Sequence, residues 1–574
     1  MEVLAHSSQA GRWAGRLALG LVFAAALTLR LWSIHTVPGN SFYDAAVRSM
    51  GGSLHDFFFG AIEPGGAISI DKPPVDLWLQ VAATKTLGFG LFGLHLPEAL
   101  GGSAACALLL RALRKPFGLP VALLGALALA VTPVAVLTSR SDTMDSVMAA
   151  LLVAAMWSGW LALRDHRTRF SALSGALVGV AFNVKLTEAL IILPALFLMW
   201  AWAAPPARRL VALCAPIATL VVVSLSWAAI ASLTPASSRP IPIGSHGGSI
   251  WRMIFLYNGV NRFNGHGAVG TLSSSSVGAP GPLRLLFGGH SSYGALIGFQ
   301  LLGVLALGAL ALGAHARRLH RMPAKDPRAR FAIALSVWFG CGLLLFSFMR
   351  RLEIRYLEAF TPALCALLAL SVGVLVGEHG RAVNLALAGA VIGLGGYLLS
   401  LHPGSAETII SLVALATALV CALYRALARA PGKRANRPLG ICLAVGLLAA
   451  PVGSDLRLID SRRSDSVLND PTTRAMSRYL IAHRAGARFE VASANVYDVV
   501  GLVSRDALAV IVLNDLDGEL ERTATLARQV ARDEVRFYYA SHGCHTGRHC
   551  PGNERWAYQH SVPLAGYPGL RRFS

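Results

Sequence analysis

Residues 139–185 read SRSDTMDSVMAALLVAAMWSGWLALRDHRTRFSALSGALVGVAFNVK, and the punctuation of this stretch decides the fold. Its two apolar runs, 144–163 and 170–184, approach the roughly 20 residues that carry an α-helix across a bilayer. Between them stands a short basic turn with Arg164, Arg167 and Arg169. Before the first run comes a polar turn ending in Asp142 and Asp145; after the second comes a lone Lys185. A span, a basic turn and a second span mark a polytopic membrane protein.

The pattern continues in both directions. Further apolar runs lie near 14–33, 94–113, 118–137, 186–204, 210–232, 292–313, 331–349, 356–377, 381–401, 406–428 and 438–454. This predicts an all-α membrane body of about thirteen transmembrane helices. Composition agrees: of 574 residues 54% are hydrophobic and 14% charged, where soluble domains carry about 25% charged residues. A disordered chain, a secreted mini-protein and most soluble enzymes are excluded. The net charge of +21 sits largely in alternate loops, around Arg111–Lys115, Arg164–Arg169, Arg208–Arg209, Arg317–Arg330, Arg381 and Arg425–Arg437. That is a topology signal rather than a nucleic-acid footprint. It predicts a cytoplasmic N-terminus and an exoplasmic C-terminal tail. The first apolar run has no small-x-small cleavage site and reads as a retained helix. No internal repeat is evident, which weighs against an inverted-repeat transporter.

Two loops on the predicted outer side are long. Residues 34–93 mix Phe57-Phe58-Phe59 and Trp78-Leu79 with polar residues and predict short amphipathic helices at the interface. Residues 233–291 are rich in Gly, Ser and Pro and predict an irregular loop. Residues 1–454 form the membrane domain on this reading, and 455–574 a small α/β domain. The latter has helices at 471–485 and 517–532 and strands at 488–493, 508–513 and 535–540. Asp515 and Asp517 read as turn residues. Six cysteines fall in spans as small apolar fillers. Cys544 and Cys550, with His545 and His549, read as a disulfide in an exoplasmic compartment or as a zinc site.

Charges outside the basic loops carry the functional information, because ionisable groups against a membrane are costly. The first long loop holds Asp44, Arg48, Asp56, Glu63, Asp71, Lys72 and Asp76. In Ile70-Asp71-Lys72-Pro73-Pro74 two prolines fix the backbone after an acid–base pair. Asp142 or Ser141 reads as an N-cap, with Asp145 in the first turn of the helix. Lys185 lies in an otherwise apolar hairpin at the same face. Arg350, Arg351 and Arg355 break the topology rule there and suit an anion such as a lipid phosphate. Carboxylates and cations in a cavity beside the bilayer suit group transfer from a lipid phosphate. A carboxylate takes the acceptor's proton and cations stabilise the leaving phosphate. A divalent metal (Mg, Mn or Ca) is compatible but not required.

The motifs Asn40-Ser41-Phe42-Tyr43-Asp44, Glu63-Pro64-Gly65-Gly66, Asp71-Lys72-Pro73-Pro74-Val75-Asp76-Leu77-Trp78, Thr143-Met144-Asp145-Ser146, Phe182-Asn183-Val184-Lys185 and Tyr257-Asn258-Gly259-Val260-Asn261-Arg262 occur in order. Together they resemble the GT-C glycosyltransferases of the protein O-mannosyltransferase and aminoarabinose transferase superfamily, in the bacterial mannosyltransferase-like branch with a C-terminal exoplasmic domain. The resemblance implies a polyprenyl-phosphate sugar donor, an envelope acceptor and transfer on the exoplasmic face of the inner membrane, usually with inversion. It implies Asp44, Asp71 and Asp145 as catalytic carboxylates, Asp44 and Asp145 being the ligands if a metal is used. Lys72, Lys185, Arg262 and Arg355 are expected on the donor phosphate, and Asn40, Tyr43, Tyr257 and Asn258 on substrate. Two departures stand out. Gly39-Asn40 replaces an acidic pair common in the family, and Ile354-Arg355-Tyr356-Leu357 replaces a His-x-Tyr-Tyr-like stretch. A flippase of lipid-linked saccharide would instead need charges near the midplane, and a non-catalytic scaffold would bind donor without turnover.

Overall fold

A computed structural model of the chain describes residues 2–245, 247–264, 278–287, 292–319, 326–401, 405–428, 436–460, 468, 470–515, 518–540 and 550–574. Among the described residues ten helical segments are long and apolar enough to cross a membrane, or eleven if one bent pair counts as a span. Three places account for the difference from thirteen. The pair Leu119–Ala130 and Pro133–Ser139 bends by 59°, because Pro133 lacks an N–H and forces Thr132 into an extended conformation. The helix Thr361–Gly377 has only 17 residues, since the expected start of that span is the 3-10 turn Ile354–Ala359.

The third place is Thr168–Trp202, a single apolar segment of 35 residues. At 1.5 Å per residue it would reach about 52 Å, well beyond a bilayer core of about 30 Å. Its contacts show that it doubles back. Lys185 pairs with Asp145, at the start of the helix Asp145–Asp165, whereas the carbonyl of Ala203 lies 2.8 Å from His166 Nδ1 at that helix's far end. The reversal falls at Leu186, whose φ of 55° breaks the helix.

The first long loop folds as expected into short helices, Ser41–Met50, Leu54–Phe59 and Val75–Leu87. Trp78 stacks on Phe57 at 5.5 Å, and Trp227 of the span Arg209–Leu233 donates to the Phe58 carbonyl at 2.9 Å. Ile68–Ser69 pairs in parallel with Ile241–Pro242, so the two long loops are stitched together. The second loop, expected to be irregular, contains a π-helix, Arg252–Val260, continued by the turn Asn261–Asn264. Wider, under-wound turns of this kind recur at functional sites.

The C-terminal region carries a mixed five-stranded sheet in the order Val510–Val512, Val491–Ser493, Phe537–Tyr539, Leu570–Phe573, Ser561–Pro563. The three expected strands are present. The expected helix at 517–532 begins only at Thr523, after a turn in which Asp515 accepts the Gly518 N–H at 2.9 Å. The sequence reading had no counterpart for the helices Val500–Asp506 and Gly552–Gln559 or for the last two strands. The last span runs to Asp460, beyond the expected boundary at 454. The six span cysteines are free. Cys550 is disulfide-bonded, while Cys544 and Asp517 lie outside the described residues.

Candidate functional site

A cavity of about 350 Å³ opens where the spans meet the two long loops and the C-terminal region. Asn40, Tyr43, Asp71, Lys72, Lys185, Tyr257, Asn258, Arg262 and Arg355 all line it. The structure thus brings together nine expected residues from five segments of the chain.

Asp71 is the centre of the arrangement. The strand Ile68–Ser69 delivers it and Pro73-Pro74 turns the chain into the helix Val75–Leu87. One carboxylate oxygen lies 3.0 Å from Lys72 Nζ and the other 3.5 Å from Arg262. Asn258 Nδ2 donates to the Asp71 carbonyl at 2.5 Å, and its Oδ1 accepts from Arg262 at 3.1 Å. Lys72 Nζ donates to the Tyr43 hydroxyl at 2.6 Å and Arg262 to that of Tyr356 at 3.2 Å. Burial alone would raise the Asp71 carboxyl, but Lys72 and Arg262 together hold it below the usual carboxylate range. The same contact raises Lys72: its burial works against the charge, and Asp71 and Tyr43 outweigh it. Both groups are therefore ionised near neutral pH.

Lys185 approaches from the tip of the hairpin. It forms a close ion pair with Asp145 and lies 3.2 Å from Glu188 and 5.0 Å from the centre of the Tyr356 ring. Asp145 is fully buried behind it. Each partner adjoins a buried non-glycine residue in the left-handed region, Met144 at φ 71° and Leu186 at φ 55°. Such conformations cost about 1–3 kcal/mol each and persist where the surroundings over-determine them. Arg355 lies 5.7 Å from the Tyr356 ring centre and 4.0 Å from Glu353. Its burial is outweighed by Tyr356, Tyr43 and the nearby acids, so its charge is firmly held. Among the lining residues four cations, Lys72, Lys185, Arg262 and Arg355, face two carboxylates, Asp71 and Glu188.

Asp44 is placed differently. It is buried, but its carboxylate faces Asp142 rather than the cavity, and both carboxyls are raised, by burial first. A Cβ at Gly39 would collide with the Asp44 carboxylate, so the glycine of the unusual Gly39-Asn40 pair makes room for it. Asn40 N–H donates to Asp142 at 2.9 Å, and the Asn40 side chain caps the helix Ser41–Met50. Asp142 thus ties two loops together. The helix Asp145–Asp165 starts from Met144 without a side-chain cap, so neither Asp142 nor Ser141 serves as its N-cap.

These surroundings also bear on a metal. Asp44 faces Asp142 and Asp145 pairs with Lys185, so the two expected ligands do not converge. Among the described residues no three acidic, His or Cys side chains form a metal-binding group. Four cations against two carboxylates in the cavity lining suit an anion, and the residues do not fit a divalent ion.

The sequence reading missed Glu188, Thr187, Tyr356, Tyr497 and Val500, all of which line the cavity. Tyr356 was within reach, as the neighbour of Arg355. Tyr497 and Val500 come from the C-terminal region, where no charge or motif points to them. A second cluster was missed behind the cavity. Glu98 accepts the N–H groups of Ser146 and Val147 at 2.8 and 3.3 Å, and the Ser146 hydroxyl donates to Glu358 at 3.0 Å. Asp76 hydrogen-bonds Glu98 and accepts from Gln80 at 2.8 Å.

Residues 71–231 match the family model of dolichyl-phosphate-mannose-protein mannosyltransferases. Two Bacillus subtilis (strain 168) proteins, named putative mannosyltransferase YycA and putative mannosyltransferase YkcB, are each 34% identical, over 257 and 242 residues. These alignments take in 44% and 42% of this chain but only 37% and 34% of the relatives, so the chain spans little more than a third of their length. The structure superposes on ArnT from Cupriavidus metallidurans bound to undecaprenyl phosphate with a TM-score of 0.53 and 18% identity, over 90% of this chain and 88% of that one. It superposes on the oligosaccharyltransferase AglB from Archaeoglobus fulgidus, solved with an inhibitory peptide and a dolichol-phosphate, with a TM-score of 0.52 and 12% identity, over 92% and 69%. Residues 71–231 thus resemble the dolichyl-phosphate-mannose-protein mannosyltransferases in sequence, and the chain shares the fold of ArnT and AglB.

Proposed function

We propose that the protein moves a sugar from a polyprenyl-phosphate donor to an acceptor of the cell envelope, whether lipid, glycan or protein. Transfer takes place at the exoplasmic face of the inner membrane. The basic loops then lie in the cytoplasm with the N-terminus, and the region after residue 454 lies outside as a domain of its own. The observation that carries the reading is the cavity at the ends of the spans. Four cations line it against two carboxylates, Asp71 and Glu188, and part of the rim, Leu345, Phe346 and Met349, belongs to the end of a membrane helix. A lipid phosphate can reach these cations while its tail stays in the bilayer.

Lys72, Lys185, Arg262 and Arg355 bind the donor phosphate, and Asp145 holds Lys185 in place. Asn40, Tyr43, Tyr257 and Asn258 shape the space for substrate. The acceptor hydroxyl attacks the anomeric carbon as the bond to the phosphate oxygen breaks. Its proton passes to Asp71, and polyprenyl phosphate leaves with the electron pair, stabilised by the cations. A carboxylate held by two cations is a weak base. A donor phosphate that draws Lys72 and Arg262 toward itself strengthens Asp71 as it arrives, which couples proton transfer to donor binding.

The test is transfer of radiolabelled sugar from polyprenyl phosphate to envelope extract by purified protein in lipid. Labelled product that depends on Asp71 and Lys185 supports the reading. Full activity of both Asp71→Asn and Lys185→Ala overturns the site. Donor movement across a vesicle membrane without transfer overturns the reaction.

A further inference from the structure

Tyr497 stands on the 3-10 turn Val496–Asp498 of the C-terminal region, nearly 500 residues from the start of a chain whose motifs lie before residue 263. Yet its ring enters the cavity wall, stacked on Phe42 with centres 5.5 Å apart and planes 16° apart. Phe42 in turn meets Tyr43 edge-on at 5.3 Å, and Tyr43 accepts the Lys72 hydrogen bond. The turn is held rigidly, for Asn495 caps it by accepting the Asp498 N–H at 3.2 Å and donating to the Asp498 carboxylate at 2.9 Å. Beside it the helices Ser41–Met50 and Val500–Asp506 are latched. Arg48 donates to the Arg505 carbonyl at 2.6 Å and lies 4.2 Å from the Phe89 ring centre. Tyr497 nevertheless remains 41% exposed. A ring fixed on one face and open elsewhere, at the rim of a charged cavity, is a surface built for contact.

The cavity has two kinds of rim. The apolar one, Leu345, Phe346 and Met349, continues the end of a membrane helix, and a donor with an isoprenoid tail has to enter there. The aromatic one, Phe42 and Tyr497, is carried by elements outside the spans, and it is left for the second substrate. We infer that Phe42 and Tyr497 form the acceptor subsite and that it takes a sugar ring. A pyranose or furanose offers an apolar C–H face to an aromatic plane and hydroxyls around its edge. Asn40 and Thr143 line the same cavity with polar side chains. The C-terminal region is then a working part of the site, and Tyr497 positions the acceptor hydroxyl toward Asp71.

This inference rests on the glycosyltransferase reading, and the experiment separates the two. Label transfer is measured with rising amounts of envelope extract, alongside binding of undecaprenyl phosphate to the same protein. Tyr497→Ala is expected to raise the half-saturating acceptor concentration at least about tenfold. Tyr497→Leu, which fills the space without an aromatic face, is expected to do the same, and Tyr497→Phe to stay within about threefold of wild type. The Kd for undecaprenyl phosphate is expected to change less than about twofold in all three. Periodate, which cleaves vicinal diols of sugars, is expected to abolish acceptor activity of the extract. Unchanged half-saturation in Tyr497→Ala and Tyr497→Leu, a defect in Tyr497→Phe equal to that in Tyr497→Ala, a parallel loss of undecaprenyl phosphate binding, or a periodate-resistant acceptor each overturns the inference while transfer stands. Wild-type protein that labels no acceptor overturns both.

Discussion

Two groups of buried carboxylates lie at the same end of the membrane body, and they are handled in opposite ways. In the cavity Asp71 sits between Lys72 and Arg262, while Asp145 sits against Lys185. Behind it Asp76, Glu98 and Glu358 are equally buried, but they are held by hydroxyl, amide and backbone N–H donors and by one another. Charge in a low-dielectric setting is tolerated only when paired. Asp71 therefore stays ionised, and each carboxylate of the first group has a cation against it. In the second, burial raises Asp76 and pushes Glu358 up to about 7. The first group can do chemistry. The second braces the helix start at Ser146, next to Asp145, from which the first is built.

The sharpest way to break this comparison is to remove single charges from the first group. Asp71→Asn is expected to lower transfer by about 10²–10⁴-fold, the range for loss of a general base, with undecaprenyl phosphate still bound. Transfer within threefold of wild type would show that Asp71 is only a structural counter-ion. Lys185→Ala leaves Asp145 buried and unpaired, which costs on the order of 3–5 kcal/mol. It is expected to lower the thermal unfolding midpoint in detergent markedly, and adding Asp145→Asn should restore most of it. Equal instability of the single and double variants would mean that the pair itself is not what the fold requires.

Arg262→Gln probes the pairing more gently. Asp71 is held low, so the acid limb of transfer lies below the ordinary carboxylate range, and activity is lost only as pH falls through that lowered value. Removing one of its two cations raises the carboxyl. The acid limb is then expected to move upward by on the order of one pH unit, whatever happens to the maximal rate. An unmoved limb would assign the base to another group.

Much of the body was legible because a span announces itself by composition alone: a run of apolar residues needs no partner to be recognised. The Lys185 hairpin was legible for the converse reason, as one charge where charge is costly. What failed was direction. Tyr43 and Asp44 are neighbours on one helix, yet successive residues point about 100° apart, so Tyr43 faces the cavity and Asp44 faces Asp142. Nothing in the order of letters says which face of Ser41–Met50 is turned inward. Tyr497 failed for a related reason. Its meaning lies in a stack on Phe42, 455 positions away, and no local pattern encodes a contact at that distance. Glu98 and Glu358 stand alone within apolar stretches and meet only through Ser146.

The smallest expected effect tests the second group by its pH sign. A carboxyl held low, such as Asp71, stabilises the fold above its unfolded value and loses that contribution as pH falls through the folded value. Glu358 runs the other way. Its folded value of about 7 exceeds the ordinary 4.5, so its contribution is full below 4.5 and lost as pH rises through about 7. Wild-type stability in detergent should therefore decline between those values on its account. Glu358→Gln keeps an acceptor for the Ser146 hydroxyl and carries no charge at any pH. It is expected to shift stability by no more than about 1 kcal/mol at pH 5 and to flatten the decline toward pH 7. A variant that loses stability heavily at pH 5, where the native side chain is already neutral, would mean that Glu358 works as an anion, and the contrast between the two groups would fall.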